Sequence, residues 1–177
     1  MIALLLTLAS AGGLFVVANA AGAGSVGFAI TAALLGFGLA PFVGDSLQRR
    51  IPDGVWARLS LSGTAARRWG VDLFNAILST VGWNRHVLAL RKGRSERPTA
   101  QMDPRHMRAA ALGHAWAFAL HIVSTVLASA YQGQLWAAAL LIIGIVGHLY
   151  PVLLQLRILT RLRLLHTRLG ADQNRSG

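Results

Sequence analysis

The sequence predicts an all-α integral membrane protein, with four transmembrane helices in two hairpins and an interfacial amphipathic helix between them. Three observations predict it. First, charge is segregated: no Asp, Glu, Lys or Arg occurs in residues 1–44, and none in residues 109–156. A helix crosses the hydrocarbon layer in about 20 apolar residues, so each charge-free block is long enough for two crossings. Second, 54% of the 177 residues are hydrophobic and only 13% are charged, against about a quarter charged in a soluble domain. Third, all 17 Lys and Arg lie in residues 49–108 or 157–175, and the turns expected near residues 20–25 and 131–134 carry none. The positive-inside rule then places both basic stretches and both termini in the cytoplasm, and both turns outside. The formal charge of +11 is assigned to lipid headgroups and solvent, with no role for nucleic acid.

The chain divides into a first hairpin (1–44), a basic cytoplasmic segment (45–108), a second hairpin (109–156) and a basic tail (157–177). Residues 1–20 end in Ala18-Asn19-Ala20, which resembles a small-residue cleavage site, but no basic stretch precedes the apolar run. A retained first span is therefore expected. Residues 23–43 form the second span, where Gly24, Gly27, Gly36 and Gly38 allow close helix approach. Pro41 and Gly44 are expected to mark its cytoplasmic end.

In the basic segment, Ile51-Pro52-Asp53-Gly54 signals a turn, with Trp56 nearby as an expected interfacial aromatic. Val71, Phe74, Ile77, Leu78 and Val81 then recur at helical spacing, opposite Arg67, Arg68, Asp72, Asn75 and Ser79. Trp69 and Trp83 flank this run. It reads as a helix lying in the membrane interface, touching lipid through Trp69, Phe74, Ile77, Leu78 and Trp83; the rival reading is a soluble helix packed on its neighbours. Residues 91–104 (RKGRSERPTAQMDP) read as a loop. The third span is expected over 109–130 and the fourth over 135–155, from Trp136 at the outer interface to an exit at Arg157. Arg161, Arg163 and Arg168 then alternate with Leu, and residues 171–177 are expected to be irregular.

Polar groups inside these spans are the candidates for chemistry. His114 and His121 are seven residues apart and share a helix face. His148 lies in the fourth span, and antiparallel packing would bring His114 near His148 and Gln155. An imidazole there can be a helix–helix hydrogen-bond partner, a general base that takes a proton from an alcohol, or a ligand to a metal or tetrapyrrole. Arg157, Arg161 and Arg163 suit a phosphate, a carboxylate or a coenzyme tail. His86, His106 and His166 sit in basic, exposed surroundings. The absence of Cys removes thiolate chemistry. HExxH, GxSxG, P-loop and GxGxxG motifs are also missing, so no metal site is assigned. No acidic residue lies in either apolar block, which disfavours carboxylate-driven hydrolysis and an acid-coupled carrier.

Two stretches carry a family resemblance. Arg67-Arg68-Trp69-Gly70-Val71, then Phe74-Asn75 and Trp83-Asn84-Arg85, resemble the cytoplasmic segment of the glycosyl-4,4'-diaponeurosporenoate acyltransferase family. His148-Leu149-Tyr150-Pro151-Val152-Leu153-Leu154-Gln155 is similar to that family's closing span, Asn-x-Tyr-Pro-x-x-x-Gln followed by Arg-Tyr-Asn-Arg. The resemblance covers residues 67–165. It implies a bacterial inner-membrane protein that places a fatty acyl group from acyl-CoA or acyl-carrier protein on the sugar of a glycosylated carotenoid, with no further cofactor required. By position it implies His114, matching the family's histidine in the preceding span, and Tyr150, Pro151, Gln155, Arg161 and Arg163. Together with His148 and Arg157 from the reading of the spans, His114 and His148 are the catalytic candidates and Tyr150, Gln155, Arg157, Arg161 and Arg163 the substrate-binding candidates, with membrane lipids and carotenoid as partners. The chain departs from the pattern in three places. No acidic residue stands in Ala110-Ala111-Leu112-Gly113, the Asn before Tyr-Pro is His148, and Leu156-Arg157-Ile158-Leu159-Thr160-Arg161 replaces the Arg-Tyr-Asn-Arg run. These departures keep a second expectation open: a non-catalytic subunit of a photosynthetic or respiratory membrane complex, binding haem, bacteriochlorophyll, carotenoid or lipid beside other membrane-protein subunits.

Because the chain has no native Cys, single cysteines report topology cleanly. In intact cells Tyr131→Cys should react with a membrane-impermeant maleimide and Ser95→Cys should not. The reverse pattern would invert the predicted orientation.

Overall fold

The computed structural model describes residues 1–82 and 104–173, with side chains described as far as residue 165. Among the described residues the regular elements are helical. They are α1 (Ile2–Ala21), α2 (Val26–Gln48), α3 (Asp53–Arg58), α4 (Gly63–Arg68), α5 (Val71–Thr80), α6 (Pro104–Ala130), α7 (Gln134–Gly144), a π-helical stretch (Ile145–Leu149) and α8 (Tyr150–Gln173). Four helices are long and apolar enough to cross a bilayer: α1, α2, α6 and the unbroken run Gln134–Leu165. This is the all-α, four-span membrane architecture the charge pattern predicts. Trp83 and all but the last residue of the expected 91–104 loop lie outside the described residues; Pro104 itself opens α6. The chain forms two compact units: Met1–Ile51 with Arg108–Val152, and Pro52–Met107 with Leu153–Gly177.

The first unit has the polarity of a protein dissolved in lipid. Its outward surface carries Leu4, Leu5, Leu8, Phe15, Val16, Ile30, Leu34, Val123 and Val126, while Ser10, His121, Ser124 and His148 are buried. A soluble domain of this size would bury those large aliphatic chains. Lipid gives no reason to hide them, so packing and polar satisfaction decide which face turns inward. Leu14, Phe28, Ala29, Ala32, Ala128, Ala137 and Leu140 form the buried apolar cluster, much of it alanine. The first hairpin closes when the Ala3 N–H donates to Ser46 Oγ at 3.2 Å. At the opposite end Ser25 caps α2, its side chain accepting from the Phe28 N–H. Trp116 Nε1–H donates to Thr7 Oγ1 at 2.9 Å and ties α6 to α1.

Two glycine contacts set how closely α2 and α6 pack. A Cβ on Gly44 would run into the Ala109 carbonyl, and one on Gly113 would run into the Ala40 carbonyl. Ala40 and Gly44 on α2 thus face Ala109 and Gly113 on α6, a small-xxx-small stripe on each helix. The two connecting turns also meet backbone to backbone. A Cβ on Gly24 would lie 2.7 Å from the Tyr131 carbonyl oxygen and 3.1 Å from Gly133 Cα.

The second span does not end where the sequence suggests. α2 runs through Pro41 to Gln48. Proline removes one i→i−4 bond, a loss tolerated where neighbouring helices pack around it. Gly44 is therefore a contact residue and not a stop signal. Just beyond it Asp45 and Arg49 pair at 2.7 Å on the helix surface.

The second unit contains the short helices. Gly70, at φ 68°, separates α4 from α5. Trp56, Ala66, Val71 and Leu159 are buried. Trp56 is 3% exposed, so it is a core residue and not the interfacial anchor expected from sequence. Arg163 reaches the C-terminal end of α3, where Nη1 donates to the Ala57 carbonyl at 2.9 Å and Nη2 to the Leu59 carbonyl at 2.6 Å. These carbonyls have no partner within their own helix, and a cation is favourable there. The Leu61 N–H donates to Thr160 Oγ1 at 3.1 Å, and the Thr160 hydroxyl donates to the Leu156 carbonyl at 2.8 Å. Around α5, Trp69, Leu73, Ile77 and Val81 form an outward apolar row, each more than half exposed, while Phe74 and Leu78 are half-buried. Spacing by four puts those exposed residues on one stripe. α8 continues to Gln173, so residues 171–173 are helical where an irregular tail was expected.

Gly113→Leu should force α2 and α6 apart. Overpacking of a tight contact costs about 1–3 kcal/mol. We expect a clear fall in the thermal midpoint of the detergent-purified protein, while Gly38→Leu, which meets open space, should leave it nearly unchanged.

Candidate active site

The site is set up by a local irregularity in the fourth span. Pro151 has no N–H to donate, and its ring would collide with the carbonyl of residue i−4, which is Gly147. The helix answers with the wider π-helical turn over Ile145–Leu149 immediately upstream, a local adjustment that membrane helices use to re-satisfy their backbone. His148 sits inside that turn and is fully buried. Glycines flank it. A Cβ on Gly144 would lie 3.0 Å from His121 Cβ, and one on Gly147 would lie 2.6 Å from Phe37 Cζ. Neither helix face could close over the imidazoles with larger residues at those positions.

His114, His121 and His148 gather at this point. His114 Nδ1 and His148 Nδ1 are 3.0 Å apart, a direct hydrogen bond in which one ring donates and the other accepts. The ring centroids of that pair lie 5.3 Å apart, and those of His121 and His148 lie 4.8 Å apart. The Phe37 ring covers His148 at a centroid distance of 4.4 Å. His114 is half-buried, whereas His121 and His148 are fully enclosed. His121 Nδ1 lies 2.9 Å from the Ala117 carbonyl oxygen. A carbonyl only accepts, so His121 Nδ1 carries the proton. The Nε2 atoms of His121 and His148, and the hydroxyls of Ser124 and Thr125, are buried without a hydrogen-bond partner among the described residues.

The expected meeting of His114 with His148 is therefore present. His121 is the member sequence reasoning left out of the site. Its seven-residue spacing from His114 pointed inward, but nothing in the chain showed that Gly36 would leave room for it. A Cβ on Gly36 would lie 3.1 Å from His121 Nδ1 and 3.3 Å from His148 Nε2. The remaining candidates divide between the units. Tyr150 is half-buried in the first unit, at the head of α8. Gln155, Arg157, Arg161 and Arg163 belong to the second. There Arg157 is paired with Asp72. Arg67 and Arg161 lie close enough to Arg157 to act on it electrostatically. The result is a guanidinium paired with a carboxylate and lying within electrostatic reach of two more guanidinium groups. Arg163 stands apart in role, because its donors hold the end of α3.

Four apolar helices with imidazoles enclosed among them define a polytopic membrane protein with an intramembrane polar site. The family is specific: the family model for glycosyl-4,4'-diaponeurosporenoate acyltransferase matches residues 55–168, and the chain belongs to that family. The match contains His114, His121, His148, Pro151, Gln155 and the arginines Arg67, Arg157 and Arg161. Gly36 and Phe37, which complete the enclosure, lie outside it. No curated protein and no solved structure matches the chain.

Pro151→Ala should restore an ordinary α-helical turn and rotate His148 off His114. We expect a folded protein in which crosslinking between cysteines placed at positions 114 and 148 falls several-fold relative to the same pair with Pro151 intact.

Proposed function

We propose that this chain is a membrane acyltransferase that moves a fatty acyl group onto a hydroxyl of an amphiphilic acceptor, the sugar of a glycosylated carotenoid being the substrate the family suggests. The observation that carries this reading is the His114–His148 hydrogen bond, a half-buried imidazole held by a fully buried one. In catalytic base arrangements a second group orients the base. On this reading His114 Nδ1–H donates to His148 Nδ1, which leaves His114 Nε2 as the basic nitrogen.

The reaction closes without another group. His114 Nε2 takes the proton from the acceptor hydroxyl as its oxygen attacks the thioester carbonyl carbon of acyl-CoA or acyl-carrier protein. The C–O bond forms, the C–S bond breaks, and the leaving thiolate takes the proton back from the His114 imidazolium. Exclusion of water matters as much as the base, because water would otherwise compete as acyl acceptor. Phe37 and the surrounding apolar helices supply that exclusion.

The arginines of the second unit support recognition of an anionic donor. Arg67, Arg157 and Arg161 outnumber the single Asp72 beside them, and guanidinium groups suit phosphate and carboxylate oxygens. The exposed row Trp69, Leu73, Ile77 and Val81 fits a helix resting in the headgroup region, with Phe74 and Leu78 packed on its inner side.

His114→Ala should lower acyl transfer by about 10²–10⁴-fold, the usual worth of a positioned base, with normal insertion and yield. The measurement is mass spectrometry of glycosylated carotenoid and its acyl ester in cells expressing each variant. Unchanged acyl ester in His114→Ala would sink the assignment. Arg161→Gln should raise the KM for the acyl donor several-fold with kcat little changed.

A further inference from the structure

We propose that His121 is a positioning residue for the His114 base, acting through His148, so that the imidazoles form one directional hydrogen-bond chain. The inference rests on the reading of His114 as base, and it adds a residue and a proton arrangement that this reading does not contain.

One ring has its proton fixed independently of the others. His121 donates from Nδ1 to the Ala117 carbonyl at 2.9 Å. A neutral imidazole carries one N–H, so His121 Nε2 is a bare acceptor. The ring is neutral because it is fully buried and residues 1–44 and 109–156 contain no carboxylate to balance an imidazolium. Its Nε2 has no partner among the described residues, and neither does the Nε2 of His148, whose ring centroid is 4.8 Å away.

The base imposes the second condition. For His114 Nε2 to accept a proton, His114 must hold its own proton on Nδ1 and donate it to His148 Nδ1 across the 3.0 Å bond. His148 is then protonated on Nε2, a buried donor that needs an acceptor. The neighbouring buried acceptor of suitable kind is His121 Nε2. The two rings lie 4.8 Å apart between centroids, and a single water between donor and acceptor would complete the link, nearly as favourably as a direct bond. Gly36 flanks this place, since any side chain there would press on both rings. With the opposite tautomer of His148 both Nε2 atoms would be bare, and neither ring would offer the other a donor.

The chain explains why a third histidine is buried beside a pair that could already exchange a proton. Each ring fixes the tautomer of the next, from the Ala117 carbonyl to the substrate-facing nitrogen of His114. His121 touches no substrate in this arrangement. It keeps the base bare where the acceptor hydroxyl arrives.

Imidazole ¹⁵N NMR of the full-length, ¹⁵N-histidine-labelled protein in phosphatidylethanolamine–phosphatidylglycerol nanodiscs near neutral pH tests this directly. Single-histidine substitutions assign the signals. The expected pattern is Nδ1–H with bare Nε2 for His114 and His121, and the reverse for His148. His121→Phe keeps an aromatic ring in place; it should leave His148 and His114 as mixtures of tautomers and lower kcat about tenfold, less than the roughly 10²–10⁴-fold worth of the base itself, with KM unchanged. A bare Nε2 on His148 in the unsubstituted protein, or tautomers unmoved by His121→Phe, overturns the proposal. Because the NMR readout needs no turnover, the two readings fail separately. Loss of acyl transfer in His114→Ala together with tautomers unmoved by His121→Phe removes the chain and spares the base. The expected tautomers with full activity in His114→Ala keep the chain of hydrogen bonds and remove its catalytic purpose.

Discussion

An imidazole inside a hydrocarbon layer has no solvent to turn to, and the first unit is arranged around that constraint. Its large aliphatic side chains face outward, where lipid receives them as well as protein would. Its histidines and serines face inward, where only other protein groups can satisfy them. Small residues make this possible. Ala40, Gly44, Ala109 and Gly113 let α2 and α6 touch backbone to backbone, and Gly36, Gly144 and Gly147 leave space that imidazole and phenyl rings fill. Packing and polar satisfaction are here one problem, since the same absent side chains serve both.

The π-helical turn links that packing to chemistry. A proline in the middle of a span would usually be read as damage to the helix. At Pro151 the damage is absorbed upstream as a wider turn, and His148 is carried to a position from which it bonds His114. The Tyr-Pro pair that marks the family resemblance therefore has a mechanical meaning: it adjusts the phase of the span just before the polar cluster. The departure from the family pattern at the same place, histidine where asparagine is usual, puts a titratable ring where an amide would otherwise stand.

The second unit follows a different logic. Its cations are distributed among distinct tasks that the sequence does not separate. Arg163 closes the end of α3, Arg157 pairs with Asp72, and Arg67 and Arg161 add to the positive field around that pair. A run of arginines alternating with leucines looks uniform along the chain, yet Arg163 is a structural clamp, Arg157 pairs with a carboxylate, and Arg161 acts on Arg157. In the proposed acyl transfer that positive field has a reason, because the phosphate groups of an acyl-CoA or acyl-carrier-protein donor are negatively charged.

By itself the sequence determined that this is a four-span all-helical protein, because charge is forbidden in hydrocarbon and its absence over two long blocks is visible residue by residue. It also determined that His114 and His148 would approach each other, since antiparallel spans leave few alternatives. Tertiary structure alone decided what depends on contacts between distant segments. It put Trp56 in a core instead of an interface, carried α2 through Pro41, and brought Leu73 onto the exposed face of α5. Above all it added His121 to the cluster, because the room for that ring comes from a glycine on a different helix, and no spacing along one segment records what another segment leaves out.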